Sequence, residues 1–275
     1  MARISAKAIE ESLRAHRGGI ATFVRRLDRQ AVPYLSYSKI AAVESCPQRY
    51  YLEYVRRVRP RPEPAYFVKG RAFHKAAANV YRGLARGKPS GPVDIDRMVR
   101  KHEGETAGHL ANALALLTEN VMADWEVVAV ERPFVIPLGP GLPPCIGVVD
   151  LILRQGKQFA VVDHKTGKAL GGGDAMQVAI YGRHVRRTHR PEACEAYFDA
   201  YRWVNDLRRI RKPAFQRTRV RLTERSWDKA LGRFRRGWRK IRRIEAADDA
   251  AATGECYRCP YKDICPKATY DVPWW

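Results

Sequence analysis

The chain has 275 residues, enough for one well-buried core with room for a small appended unit. It carries 51 Lys+Arg against 29 Asp+Glu, a formal net charge of +22, with 45% apolar residues. That composition excludes a disordered chain and favours a polyanionic partner, and no apolar run reaches the roughly 18–20 residues of a membrane span. The start, Met1 to Lys7, lacks the apolar stretch of a secretory signal, so a cytoplasmic, intracellular setting is expected. In that setting six cysteines need an explanation other than disulfides.

In chain order, Ile4, Ala8, Ile9 and Leu13 recur at near-helical spacing before a break at Gly18-Gly19, which predicts a helical arm over residues 1–32. The remainder, 33–275, reads as one domain. Helical character runs from Ser38, is interrupted at Cys46-Pro47 and resumes through Val55; Arg59 to Pro64 is a linker by composition. Gly70 to Leu84 forms a helix with the stripe Phe73, Ala77, Val80 and Leu84, and one long helix is expected from about Asp94 to Ala123. Val127–Ile136, Ile146–Leu153 and Phe159–Val162 are three consecutive strands rich in Val and Ile. Gly171-Gly172-Gly173 is a turn, and Asp174 caps a helix through Met176, Ile180 and Val185. Ala196–Val204 and Thr218–Leu222 predict further strands, and Arg225–Ala247 a basic helix. The order of helices, three strands, helix and strand predicts an α/β core with helices packed on it.

Two aspartates break the apolar pattern of adjacent strands. Asp150 lies in Val-Val-Asp-Leu-Ile-Leu and Asp163 in Phe-Ala-Val-Val-Asp-His-Lys, the two runs joined by a short polar turn at Gln155 to Gln158. Lys165 follows Asp163 by two residues and so points to the same side of the strand. Two carboxylates and an ammonium at one sheet edge suit a divalent cation with an activated water, the chemistry of phosphodiester hydrolysis. Gln177 and Tyr181, at i and i+4, share a face of the next helix, and His74 offers an imidazole to a cation.

The stretches Gly70-Arg-Ala-Phe-His74, Gly147-Val-Val-Asp150, Val162-Asp163-His-Lys165-Thr-Gly and Gln177-Val-Ala-Ile-Tyr181 resemble, in order, the motifs of RecB-type nucleases of the PD-(D/E)XK superfamily. The resemblance spans residues 36–266 and implies the restriction-endonuclease-like fold. It implies that His74, Asp150 and Asp163 bind Mg²⁺ or Mn²⁺, that Lys165 orients or activates the attacking water, and that Gln177 and Tyr181 support the site or contact the nucleic acid backbone. Glu131 sits where family members often have an acidic residue of variable role, which makes it a possible supporting or outer-shell residue of the site; a solvated strand-edge glutamate is its simpler reading.

Cys256-x₂-Cys259-x₅-Cys265 groups three thiols, and Cys46 can supply a fourth. Four cysteines hold either a tetrahedral zinc or an iron–sulfur cluster, and their chemistry alone does not separate the two. One distant cysteine before a Cx₂Cx₅C tail resembles the staple of AddB and of CRISPR-associated RecB-like exonucleases, which implies a [4Fe-4S] cluster joining the N- and C-terminal segments. Cys145 and Cys194 read as core residues. Between residues 202 and 243, arginines that include Arg208, Arg209, Arg235 and Arg239 interleave with Trp227, Phe234 and Trp238; with Arg71 they are candidate contacts to a DNA backbone, the aromatics being expected in the core. The expected function is a Mg/Mn-dependent deoxyribonuclease, most simply an exonuclease on single-stranded DNA in phage or mobile-element recombination, replication or CRISPR adaptation. No Gly-x₄-Gly-Lys-Ser/Thr motif is present, so any helicase motor is a separate partner. The alternative is a non-catalytic DNA-binding or assembly module, for which an intact His74, Asp150, Asp163 and Lys165 set has no use.

Overall fold

The computed structural model describes residues 5–60, 62–89, 91–204 and 212–269. The helices are α1 (Ala6–Arg14), α2 (Ile20–Arg29), α3 (Tyr37–Ser45), α4 (Pro47–Tyr50), α5 (Ala65–Leu84), α6 (Pro92–Val99), α7 (Gly104–Glu119), α8 (Ala175–His189) and α9 (Glu224–Ala247). The strands are β1 (Glu126–Ile136), β2 (Cys145–Gln155), β3 (Gln158–Gly167), β4 (Ala193–Arg202) and β5 (Ala214–Val220). They form one sheet in the order β1-β2-β3-β4-β5. β2 and β3 make the expected antiparallel hairpin, with Gly156 at φ +59° in its turn. β3 and β4 are parallel, which requires a crossover, and α8 supplies it; β4 and β5 are antiparallel. This is the α/β architecture that the sequence predicts.

The chain divides into two units, one of Ala65–Phe134 and Val148–Trp227, the other of Met1–Pro64, Val135–Gly147 and Asp228–Trp275. The first has its core between α5, α7 and one face of the sheet: Phe73, Ala77, Val80, Leu114 and Leu117 pack on Leu151, Leu153, Ala160 and Val162. The predicted stripe of α5 is therefore its buried face. In the second unit, Ile9 of α1 and Phe23 and Leu27 of α2 pack with Tyr34, Val135 and Ile146. Phe234 and Ile241 of α9 are buried, as expected for the aromatic and apolar positions of this basic helix.

Several boundaries differ from expectation: α5 begins at Ala65 rather than Gly70, and β4 runs Ala193–Arg202 rather than Ala196–Val204. The single helix over Asp94–Ala123 is two helices: α6 ends at Val99, Glu103 is extended (φ −122°, ψ 160°), and Gly104, the first residue of α7, is left-handed (φ +53°), so one continuous helix cannot run through them. The last strand is Ala214–Val220, set by pairing with β4 from Arg202↔Ala214 to Ala196↔Val220 rather than by the alternation at Thr218–Leu222. β3 continues to Gly167 despite its polar end, because Asp163 to Gly167 pair with β4 from Phe198 to Arg202. Among the described residues no helix is long and apolar enough to cross a membrane.

Candidate active site

The β2–β3 ladder ends at Leu151↔Val162, and the next residue on each strand is an aspartate, Asp150 or Asp163. The strands part there, and the backbone N–H of His164 donates to Asp150 Oδ2 at 2.9 Å. Leu151 and Val162 face the α5–α7 core, so the side chains of Asp150 and Asp163 fall on the opposite face, with α8. Asp174 caps α8 by accepting from the Met176 N–H at 3.0 Å, and two turns of that helix carry Gln177 and Tyr181. The four predicted side chains close into a ring. Lys165 Nζ lies 2.6 Å from Asp163 Oδ2 and donates to Gln177 Oε1 at 2.8 Å. Gln177 Nε2 donates to the Tyr181 hydroxyl at 2.9 Å, and that hydroxyl in turn bonds to Asp163.

From α5, His74 Nδ1 comes to 3.5 Å from Asp150 Oδ2 and 3.8 Å from Glu131 Oε1. His74, Glu131 and Asp150 each offer a ligand atom, and these atoms lie within 4.8 Å of one another, a spread that suits one divalent cation. Asp163 stands beside this trio, its carboxylate held by Lys165. Glu131 is thus in the site, where its simpler sequence reading is a solvated strand edge. Glu131 has φ +50°, a left-handed residue within β1, so strict strand alternation does not predict where its side chain falls. Pro133, two residues on, is the visible sign that β1 is not a regular strand here, since a proline inside a strand cannot donate to the ladder.

The electrostatics are those of a site short of positive charge. Burial and the neighbouring Asp163 raise the Asp150 carboxyl to about 7, although His74 and the His164 N–H pull the other way. Burial likewise raises Asp163, against the pull of Lys165. Burial opposes protonation of His74, but the neighbouring carboxylates of Glu131 and Asp150 outweigh it and leave the imidazole above its ordinary value. Carboxylates forced together and desolvated gain most from a cation.

The opposite face of the same strands is a rigid support. His164, between Asp163 and Lys165, is buried and held neutral, its pKa lowered to about 3 chiefly by desolvation, and it stacks on Tyr81. Its register partner Asp199 is fully buried and takes two bonds of 2.7 Å from Arg217 Nε and Nη2, while Arg217 also donates to the Asn120 carbonyl at 2.9 Å. Such a paired, bidentate bond ties β4 to β5 beneath the strand that carries Asp163.

The model of the PD-(D/E)XK nuclease superfamily matches residues 34–266. This chain belongs to that superfamily. Among solved structures it resembles a Eubacterium rectale protein provisionally assigned as an exonuclease, at 12% identity over 87% of this chain and 91% of that one, with a TM-score of 0.53, which shows a shared fold. SSO0001 aligns at 16% identity over 96% of this chain and 95% of that one, with a TM-score of 0.38, too low to add to the argument. No curated protein matches the sequence. PD-(D/E)XK nucleases hydrolyse phosphodiester bonds with the help of divalent cations, and His74, Glu131 and Asp150 of this chain could hold one.

The nuclease also gathers the four predicted cysteines around one cavity of about 370 Å³, lined by Cys46, Cys256, Cys259 and Cys265 with Ser45, Arg49 and Gly254 among others. A Cβ on Gly254 would lie 2.9 Å from the Ser45 carbonyl and 3.0 Å from Cys46 Cβ, so this close approach requires glycine. Burial raises the Cys46 thiol, but bonds from the backbone amides of Thr253, Arg49, Gly254 and Gln48 outweigh it and leave it below its ordinary value. The Thr269 N–H reaches Cys256 Sγ at 3.4 Å. Burial raises Cys259, with Cys46 and Cys265 near enough to add to the effect. Among the described residues no three of these sulfurs lie within 4.8 Å of one another. Cys145 is buried and Cys194 half-buried, both on strands.

Of the candidate DNA-contacting arginines in this nuclease, Arg71 on α5 and Arg235 and Arg239 on α9 are exposed. Arg208 and Arg209 lie outside the described residues.

Proposed function

We propose that this PD-(D/E)XK protein is a RecB-like, iron–sulfur deoxyribonuclease that degrades single-stranded DNA from its ends, dependent on Mg²⁺ or Mn²⁺. The observation that carries the reading is the meeting of the His74–Glu131–Asp150 trio with the Asp163–Lys165–Gln177–Tyr181 ring at one strand fork. His74, Asp150 and Asp163 are the metal-binding residues, and Glu131 joins them. A cation bound there supplies Lewis-acid activation of water and offsets charge on the phosphate. The chain's own residues do the rest. Lys165, fixed between Asp163 and Gln177, places its ammonium where negative charge grows as water attacks phosphorus and the bond to the leaving oxygen breaks. Gln177 and Tyr181 hold Lys165 and Asp163 in register, so that no reorganisation is needed at the moment of reaction. His74 must lose its proton to become a ligand, and cation binding should therefore release one.

Cys46, Cys256, Cys259 and Cys265 are the ligands of the [4Fe-4S] cluster. Amide donors around Cys46 favour an anionic sulfur. In this reading residues 33–275 are the nuclease domain, with 1–32 as an arm appended to it. The backbone of the strand is met by Arg71, Arg235, Arg239 and, outside the described residues, Arg208 and Arg209. A helicase or a recombination or CRISPR-adaptation complex would supply the DNA ends, in an intracellular setting.

The test is digestion of end-labelled single- and double-stranded DNA in Mn²⁺, with 5′- or 3′-blocked ends. Loss of label from single strands, prevented by blocking one end, supports the reading. DNA that is bound and left uncut overturns it and returns the chain to a binding module.

A further inference from the structure

The first turn of α5 is an anomaly of packing. Tyr66, Phe67 and Val68 are 54%, 37% and 39% exposed, although each is a large apolar residue, and the Tyr66 and Phe67 rings lie 4.4 Å apart. Three consecutive apolar side chains point to different sides of a helix, so no single core face accounts for them. The first buried residue of α5 is Ala72. Phe67, Gly70 and His74 fall at i, i+3 and i+7 and so form one stripe, with Phe67 about 10 Å up the helix axis from the metal-site histidine.

Gly70 is the second anomaly. It sits inside a 20-residue helix, where glycine is less stable than alanine, yet a Cβ built there would meet nothing within 4 Å. Packing of the chain does not explain the glycine. A notch on the stripe between an exposed aromatic ring and the cation site would admit a close approach by another backbone.

We infer that the start of α5 is a nucleobase guide: Phe67, with Tyr66 beside it, stacks on a base of the incoming single strand, and Gly70 gives clearance for the sugar–phosphate that runs on to His74. The inference rests on the nuclease reading above and deepens it. Stacking on an aromatic ring is tolerant of sequence and needs an unpaired base, because bases within a duplex are already stacked. Single-strand preference then resides in α5, while the net charge of +22 contributes affinity without discrimination.

The test uses the full chain with Ca²⁺ in place of Mn²⁺ and a single-stranded oligodeoxynucleotide carrying 2-aminopurine, whose fluorescence falls on stacking. Wild-type protein should quench it. Phe67→Ala should lose the quench and bind the strand about tenfold more weakly, with a much smaller effect on an abasic strand of the same length; Phe67→Trp should restore both. Gly70→Ala should leave the melting temperature unchanged or raised while weakening strand binding, a combination that a purely structural glycine would not show. An unchanged quench in Phe67→Ala, or equal losses on abasic and base-bearing strands, overturns the inference. So does a wild-type protein that binds without quenching. The hydrolytic reading fails separately: wild-type protein that quenches the probe but leaves DNA uncut in Mn²⁺ keeps the guide and loses the nuclease.

Discussion

Lys165 is the residue whose role is most sharply defined by its neighbours. Its ammonium lies 2.6 Å from Asp163 and 2.8 Å from Gln177, on a strand locked from behind by His164 and Asp199. Lys165→Ala and Asp163→Ala should each lower DNA cleavage by at least about 100-fold, the scale of removing one preorganised charge-stabilising group. Both should keep DNA affinity and the far-ultraviolet dichroism of the wild type; undiminished cleavage in either would refute the assignment. Asp150 makes a prediction of opposite kind. Its carboxyl, raised from 3.8 to about 7 by burial and by Asp163, binds a proton in the folded chain that the unfolded chain has released. Stability from this group is therefore full below about pH 4 and lost as pH rises through about 7. Asp150→Asn, which carries no charge to desolvate, should be more stable than the wild type at pH 8 in EDTA, with the difference closing toward pH 4. Urea denaturation at the two pH values checks this, and a variant less stable at pH 8 would contradict it. Asp150, Asp163 and Lys165 were legible from polar residues misplaced on strands. Glu131 was legible only as a possible supporting residue, because alternation along β1 says nothing of a residue at φ +50°.

Elements position these residues through contacts that tolerate little change. A Cβ on Gly173, at the entry to α8, would lie 2.3–2.4 Å from ring atoms of Phe198, the residue of β4 in register with Asp163. Real Cβ atoms do not approach so closely, so Gly173→Ala must displace either the buried Phe198 ring or the start of α8. We expect a loss of about 1–3 kcal/mol and, since α8 carries Gln177 and Tyr181, a fall in cleavage rate larger than the fall in DNA affinity. Thermal melts and single-turnover kinetics would show whether the two move together; a variant with wild-type values of both would remove this role from Gly173. Helical and strand segments were largely readable from periodicity and from Val/Ile runs. The α6–α7 break was not, because Ile95, Met98 and Val99 of α6 and Leu110, Leu114 and Leu117 of α7 pack on one core and so read as one continuous amphipathic pattern. The turn from Arg100 to Glu103 and the left-handed Gly104 separate them.

For the whole molecule, the four cysteines and the charge make separate predictions. Anaerobically purified protein should be brown, and Cys256→Ser should lose the colour and melt at lower temperature. Tying Cys46 to the C-terminal thiols closes a loop of about two hundred residues, a constraint that removes several kcal/mol of unfolded-state entropy by analogy with a disulfide. A colourless protein with stoichiometric zinc would refute the cluster. DNA affinity should fall by about 10³-fold or more between 50 and 200 mM salt if six or more phosphates are contacted; a flat salt response would remove the electrostatic part of the reading. The sequence by itself determined the α/β class, the order of the motifs and the identity of most candidate site residues, because residue type and spacing along one strand or one helix are local properties. Tertiary structure alone decided that His74 of α5, Glu131 of β1 and Asp150 of β2 meet within 4.8 Å, and that Cys46 shares a cavity with three thiols more than two hundred residues away. Those meetings depend on a strand fork, a left-handed residue within a strand and a glycine-permitted close approach, and none of these has a period that a linear sequence displays.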